Sequence, residues 1–429
     1  MSKFFPTFLL VTAVLVSARC NPLPAQGDPA SIAASAINSI GIDLLHQTGR
    51  ADANALLSPY SIETALTMAY AGADGATRDE MARALHLRGD GSQVAGEFAA
   101  LQVQLDKLVQ QSVERSAQLK KDGGKEDPIT LDVANRLFGQ QGYDFRPAFL
   151  DLLKTKYQAP FQAMDFIHGA VGATKTINDW VEQKTQKRIR DLIPGGALNK
   201  YTRLVLVNAL YLKAPWEEQF SDGATQPHPF HVGGGSAVNV PTMNIQKNFG
   251  YIKENGVTVV SLPYGGGELQ FLIILPDNVN GLSKVEAGLT AKKLAGWANL
   301  PGHLVNLHLP KFKIEPPTLP LTDALQKLGM TSAFDKPRGS ANFDGIAPRR
   351  PPNDYLYISD VFHKTFLSLD EKGTEAAAAA AVVMFKANGI EMNPPKPLEV
   401  KVDHPFLFAI QHRASGACLF LGHVADPRR

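Results

Sequence analysis

Residue types able to do chemistry are few in this chain, and most fail on spacing. His228 and His231 stand three apart without a Glu or Cys nearby, so no metal site is expected there. Neither Cys-x-x-Cys nor His-Glu-x-x-His occurs, and no Gly-x-Ser-x-Gly nucleophile elbow exists. Gly265-Gly266-Gly267 lies between two strand-like runs with no helix after it, which makes it a hairpin turn and not a phosphate cradle. No cofactor and no enzymatic activity are expected. The remaining anomaly is Glu371–Asn388, which reads Glu-Lys-Gly-Thr-Glu, then Ala376 to Ala381, then Val-Val-Met-Phe-Lys-Ala-Asn. Three readings compete for it. It could be a short helix, because alanine has the best helix propensity and Thr374 could cap it. It could be a low-complexity spacer. It could be a loop that later becomes a strand in a crowded sheet, where small side chains ease passage and Val382-Val383 favour strand.

Composition bounds the alternatives. The chain has 429 residues, 44% hydrophobic and 20% charged, which is ordinary for a globular protein. No linker or internal repeat divides it. A net charge of +2 gives no broad footprint for nucleic acid, and none is expected as partner. The local cluster Lys184, Lys187, Arg188 and Arg190 reads as a solvated helix face. Lys3 followed by apolar Phe4–Val16 reads as an export leader, too short for a comfortable membrane span. Cleavage after Ala18 gives a leader of 1–18, or 1–19 if processing occurs at Cys20 with a lipid anchor there. Secretion to the periplasm or the extracellular space is therefore expected. Cys418 sits in an apolar run and reads as a buried small hydrophobe, so no disulfide framework is expected.

The elements that must position the 371–388 segment follow. Residues 19–29 read as a flexible leader. Ala30–Leu45 reads as a helix. Ser58-Pro59-Tyr60-Ser61 opens a second, largely buried helix ending near Gly72. Helices are also expected over Thr77–Leu85, Glu97–Leu119, Pro147–Tyr157, Thr174–Leu192 and Leu321–Leu328, with a surface loop at Lys120–Asp127. Leu204–Leu212 is apolar on both faces, the mark of a strand covered on both sides, with Asn208 as its polar exception. Strands are expected at Leu131–Phe138, Val257–Leu262, Gln270–Leu275, Val305–Leu309 and Leu356–Leu369, over the strand-like run Leu398–Ile410 with Phe406–Ile410 as a strand within it, and at Cys418–Val424. Helices mainly first and strands mainly later suggest an α+β fold with mixed or antiparallel sheets.

These segments, in this order, resemble the serpin family from about residue 30 to the end. The resemblance rests on Asn54–Gly72 with Ser58-Pro59-Tyr60-Ser61, on Val207-Asn208-Ala209 running to Pro215-Trp216, and on Leu309-Pro310-Lys311-Phe312. It rests further on Val361-Phe362-His363-Lys364 followed by Glu371-Lys372-Gly373-Thr374-Glu375, and on the terminal His404-Pro405-Phe406 and Leu419–Val424 strands. It implies a single domain over 30–427, three sheets and about nine helices, with an exposed reactive loop at about 371–398. It also implies a suicide-substrate inhibitor. A serine protease attacks the loop and forms an acyl-enzyme on its own serine. The cut loop then inserts into the main sheet before deacylation, the strand addition for which this family is known.

The residue types agree with that implication. A strand entering a packed sheet must carry small or apolar groups, since an unpaired buried charge is costly. Thr374 and Ala376 to Val383 meet the demand, and Glu375 is tolerable only if it faces solvent. From Gly373 to Ala387 an extended chain spans about 46 Å. Carried over residue by residue, Glu371, Gly373, Thr374, Glu375, Ala376, Ala377 and Ala378 match the hinge. Ser58, Ser61, Asn208 and His363 match the shutter, a hydrogen-bonded cluster that must open for insertion. Trp216 and Lys311 match the breach, where Lys311 pairs with Glu371. Counting from the hinge sets the reactive bond at Ala387-Asn388, which suits an elastase-like protease. A shift of one exposes Lys386 to a trypsin-like enzyme, and a cut after Met384 or Phe385 suits a chymotrypsin- or subtilisin-like one.

A papain-like cysteine protease is a further conceivable target, because the trap needs only an acyl or thioacyl intermediate. The alternative function is a non-inhibitory serpin, acting as substrate, carrier or chaperone-like protein. The small hinge residues argue for inhibition. A monomer is expected.

Overall fold

The computed structural model describes residues 28–124, 126–233, 236–350, 354–375 and 396–429; of Ala134, Asn208 and Ser236 only the backbone is described. Among the described residues there are nine α-helices and three hydrogen-bonded sheets. The helix Pro59–Tyr70 forms as its sequence dictates. Ser58 is the N-cap, its Oγ accepts the Ser61 N–H at 3.2 Å, and Pro59 sits in the first turn where its missing N–H costs nothing. It is buried on nearly every side.

The sheet that matters for function has six strands, in the order Phe312–Ile314, Leu367–Asp370, Gly373–Thr374, Leu204–Pro215, Thr130–Gln140 and Phe161–Met164. Thr130–Gln140 runs antiparallel to Leu204–Pro215 and parallel to Phe161–Met164. The expectation of a strand covered on both faces holds for 204–215. Leu210, Leu212 and Ala214 join the large core that contains the 59–70 helix, while Val207 and Ala209 pack with Phe166, Ile177 and Val181 of the helix Phe166–Lys184. The second sheet has nine strands and holds the C-terminal pair Phe406–His412 and Cys418–Val424. Its strand Leu269–Pro276 is buried throughout. The glycine turn at 265–267 joins that strand to Val257–Pro263 as a hairpin. A two-stranded pair, Leu319–Pro320 with Phe362–His363, completes the sheets.

Three differences from the sequence reading bear on the site. The helix expected to reach Leu192 stops at Lys184. Thr185 closes it: its Oγ1 donates to Val181 O and accepts the Ile189 N–H, and Gln186 and Lys187 take positive φ. The run Leu356–Leu369 forms strand only at Phe362–His363 and Leu367–Asp370, and 356–361 carry no ladder. The run Leu398–Ile410 is two strands, Leu398–Lys401 and Phe406–His412, broken around His404-Pro405. Residues 1–27, including the leader and Cys20, lie outside the described residues. Cys418 is a free, buried thiol.

Candidate functional site: an opened sheet with a docked hinge

The site is built where the 204–215 strand and the 367–370 strand part company. Gly373 and Thr374 lie between them, Thr374 opposite Ala214 on one side and Leu369 on the other. Gly373 is required here. Its φ is +145°, and a Cβ on it would lie 2.1 Å from Ala214 O. Thr374 is buried, and its Oγ1 lies 2.6 Å from the Tyr264 hydroxyl. Glu375 carries the pattern one step further, since its N–H donates to Ser368 O at 3.0 Å.

Trp216 and Lys311 frame the top of this junction. The indole stacks on Tyr264 with ring centres 4.6 Å apart, and its Nε1 donates to Asp370 O. The Trp216 N–H donates to Lys372 O, so the indole residue grips both sides of the bend between the two short strands. Lys311 Nζ lies 2.6 Å from Glu371 Oε2, and Thr225 Oγ1 donates to Glu371 Oε1. Burial pushes the Glu371 carboxyl upward, but the bonds from Lys311 and Thr225 outweigh it and hold the group below the usual carboxylate range. The pair is half-buried, with the Glu371 side chain only 9% exposed.

Glu375 corrects an expectation. Its side chain does not face solvent; it is 4% exposed and lies 2.9 Å from Arg188 Nε. Tyr211 also bonds it. Arg188 stays half-exposed but lies beyond the end of the 166–184 helix, and its guanidinium stands over the Phe366 ring at 5.2 Å.

Below the hinge the sheet is open. Among the described residues the 204–213 edge facing the 356–366 segment has no ladder partner. A cavity of 140 Å³ occupies the lower part of the gap, lined by Ile62, Leu66, Leu206, Val207, Val361 and His363 among others. At its end Ser58, Ser61 and His363 come together. The Ser58 N–H donates to His363 Nε2 at 3.0 Å, and burial pushes that imidazole down to about 3. A ring nitrogen that accepts this bond must be unprotonated. Thr365 Oγ1 donates to Leu56 O close by. Asn208 lies in the neighbouring strand opposite Asn135. Ala376, Ala377, Ala378, Met384, Phe385, Lys386, Ala387 and Asn388 lie outside the described residues.

Sequence reasoning missed Tyr264, Thr225 and Arg188. Arg188 had no signal, since it lies 187 residues from Glu375 in sequence. Tyr264 had none, being a turn tyrosine until the fold brings Thr374 to it.

Residues 35–427 match the family model described as Serpin (serine protease inhibitor). The chain is a serpin. It is 37% identical over 384 residues to the leukocyte elastase inhibitor of Bos taurus, covering 87% of this chain and 93% of that one. An uncharacterized serpin-like protein of Thermococcus kodakarensis is 37% identical over 395 residues, 92% of this chain and 85% of its own. Among solved structures, native tengpin, a thermophilic serpin, superposes with a TM-score of 0.75 at 29% identity, covering 92% of this chain and 94% of its own. A loop-inserted cleaved ovalbumin mutant gives 0.76 at 26% identity, covering 94% and 100%. Inserted and native relatives thus fit equally well, so the state of this molecule is read from its hinge and not from global likeness. Serpins are protease inhibitors and not catalysts, and the named relative is an inhibitor.

Proposed function

We propose that this serpin is a suicide-substrate inhibitor of a serine endopeptidase, trapping the acyl-enzyme by inserting its cut loop into the six-stranded sheet. One observation carries the reading: the loop has already begun to pair. Thr374 lies between Ala214 and Leu369, in antiparallel register with both. Continuing that register would bring Ala376 opposite Leu212 and Leu367, and Ala380 between Asn208 and His363. The alanine tract would then pass the Ser58–Ser61–His363 cluster beside the 59–70 helix. Met384 would come opposite Leu204, at the far end of the 12-residue strand. A bond cut between Lys386 and Asn388 would therefore leave an attached protease just beyond the end of the sheet.

The likeness to an elastase inhibitor and the small Ala387 side chain favour an elastase-like target. The leader read in residues 1–18 favours a target outside the cytoplasm. The test mixes the protein separately with elastase, trypsin, chymotrypsin and subtilisin. A covalent complex that survives denaturing electrophoresis is expected with at least one, and the first residue of the released C-terminal peptide identifies the bond. Clean cleavage by all four with no covalent complex would reject inhibition and leave the non-inhibitory reading.

A further inference from the structure

Between Gly373 and Phe385 the loop carries one charged residue, Glu375. Any strand that enters the sheet must bring this carboxylate with it, and a buried carboxylate without a partner is strongly unfavourable. The structure meets the problem at the doorway. Glu375 Oε1 and Oε2 lie 2.9 and 3.1 Å from Arg188 Nε. The carboxylate is nearly enclosed, whereas the guanidinium is half-exposed.

Arg188 is held ready for this contact by groups that do not belong to the loop. It follows the closed end of the 166–184 helix, where Lys187 N–H donates to Glu182 O and Arg188 N–H donates to Thr185 O. Its guanidinium lies over Phe366, whose ring also receives Lys313 Nζ at 5.1 Å. Phe366 directly precedes the 367–370 strand that borders the gap. The cation is thus fixed to the wall of the slot, not to the moving segment. Glu375 itself has φ of +53°, a left-handed backbone that a strand cannot continue. It marks the point where docking has stopped, with its charge already matched.

We propose that Arg188 is a positioning residue for loop insertion: it neutralises Glu375 at the mouth of the sheet, so that the single charge of the inserting segment crosses the threshold as an ion pair. The inference rests on the inhibitory reading above. Without Arg188 the carboxylate must enter with no counter-charge and only the Tyr211 hydroxyl as its described partner, insertion slows, and more acyl-enzyme hydrolyses before it is trapped.

The experiment titrates a protease that the wild-type chain traps and counts inhibitor molecules consumed per protease inactivated. Arg188→Ala should slow insertion about fivefold, the rate equivalent of ~1 kcal/mol, and so raise the excess of that number over one about fivefold. Arg188→Lys should recover part of the loss. The double variant Arg188→Ala/Glu375→Ala should recover most of it, because the charge needing a partner is gone. Thermal unfolding of each intact variant checks that it is folded. A wild-type count for Arg188→Ala would overturn the proposal. So would a double variant as poor as Arg188→Ala, which would assign Arg188 to packing on Phe366 alone. If the wild-type chain traps no protease at all, the inhibitory reading itself fails and this inference falls with it; the wild-type arm separates the two failures.

Discussion

Acid should loosen the cluster that closes the sheet, by an amount that follows from the surroundings of His363. The ring is buried, accepts the Ser58 N–H through Nε2, and is held by burial at about 3 against an ordinary 6.5. Between those values the unfolded chain binds a proton here that the folded chain does not. The stabilisation is therefore fully present above 6.5 and is lost as pH falls toward 3. Each pH unit in that window is worth ~1.4 kcal/mol, so going from pH 6.5 to pH 5 removes roughly 2 kcal/mol. His412, which burial also pushes down, to about 4, adds a slope of its own, so the wild-type pH dependence alone does not isolate the effect. His363→Gln does isolate it. The amide oxygen can still accept the Ser58 N–H, but the side chain does not titrate. Urea unfolding of both proteins at the two pH values should show the wild type losing roughly 2 kcal/mol more than the variant. Equal losses would refute the argument that His363 is held neutral by its site.

Other perturbations have defined outcomes. Thr374→Arg would put a guanidinium against Tyr264 in a buried position, so the variant should be cleaved by its target without forming a covalent complex; an unchanged complex yield on gels would contradict insertion. Gly373→Ala should expel the hinge from between the two strands, since the new Cβ meets Ala214 O, and should raise the inhibitor consumed per protease in a titration. Glu63 is fully buried in the 59–70 helix, neither carboxyl oxygen has a hydrogen-bond partner among the described residues, and burial raises its pKa well above 4.5. A group whose folded pKa is raised destabilises the fold as pH climbs above its unfolded value, here by ~1.4 kcal/mol per unit until the folded pKa is passed. Thermal midpoints of Glu63→Gln should therefore exceed those of the wild type at pH 7 and converge with them near pH 4.5.

Much of the site was legible because its residues act through local rules. Ser58-Pro59 announces a capped helix, Leu204–Leu212 announces a strand covered on both faces, and Gly373 announces a backbone that only glycine tolerates. The errors came where two meanings share one pattern. Ile189 and Leu192 remain in helical step with Ile177 because all bury in the same core, so periodicity could not reveal the stop that Thr185 makes. Leu356 and Ile358 begin the alternation a strand would show, but a ladder needs a neighbour, and here the neighbouring edge stands apart across the gap. Solvent is the one tolerable surrounding for Glu375 that the sequence offers, because its partners are remote in the chain. Only the fold brings Arg188 and Tyr211 to it.

In the proposed mechanism the loop becomes a strand between 204–215 and 356–370. Hydrogen exchange of the intact and loop-cleaved protein tests it most directly. Cleavage should slow exchange of the backbone amides of 205–213 and 356–366 that face the gap, with the largest gain around Asn208 and His363. Unchanged exchange across both edges after complete cleavage would contradict the account.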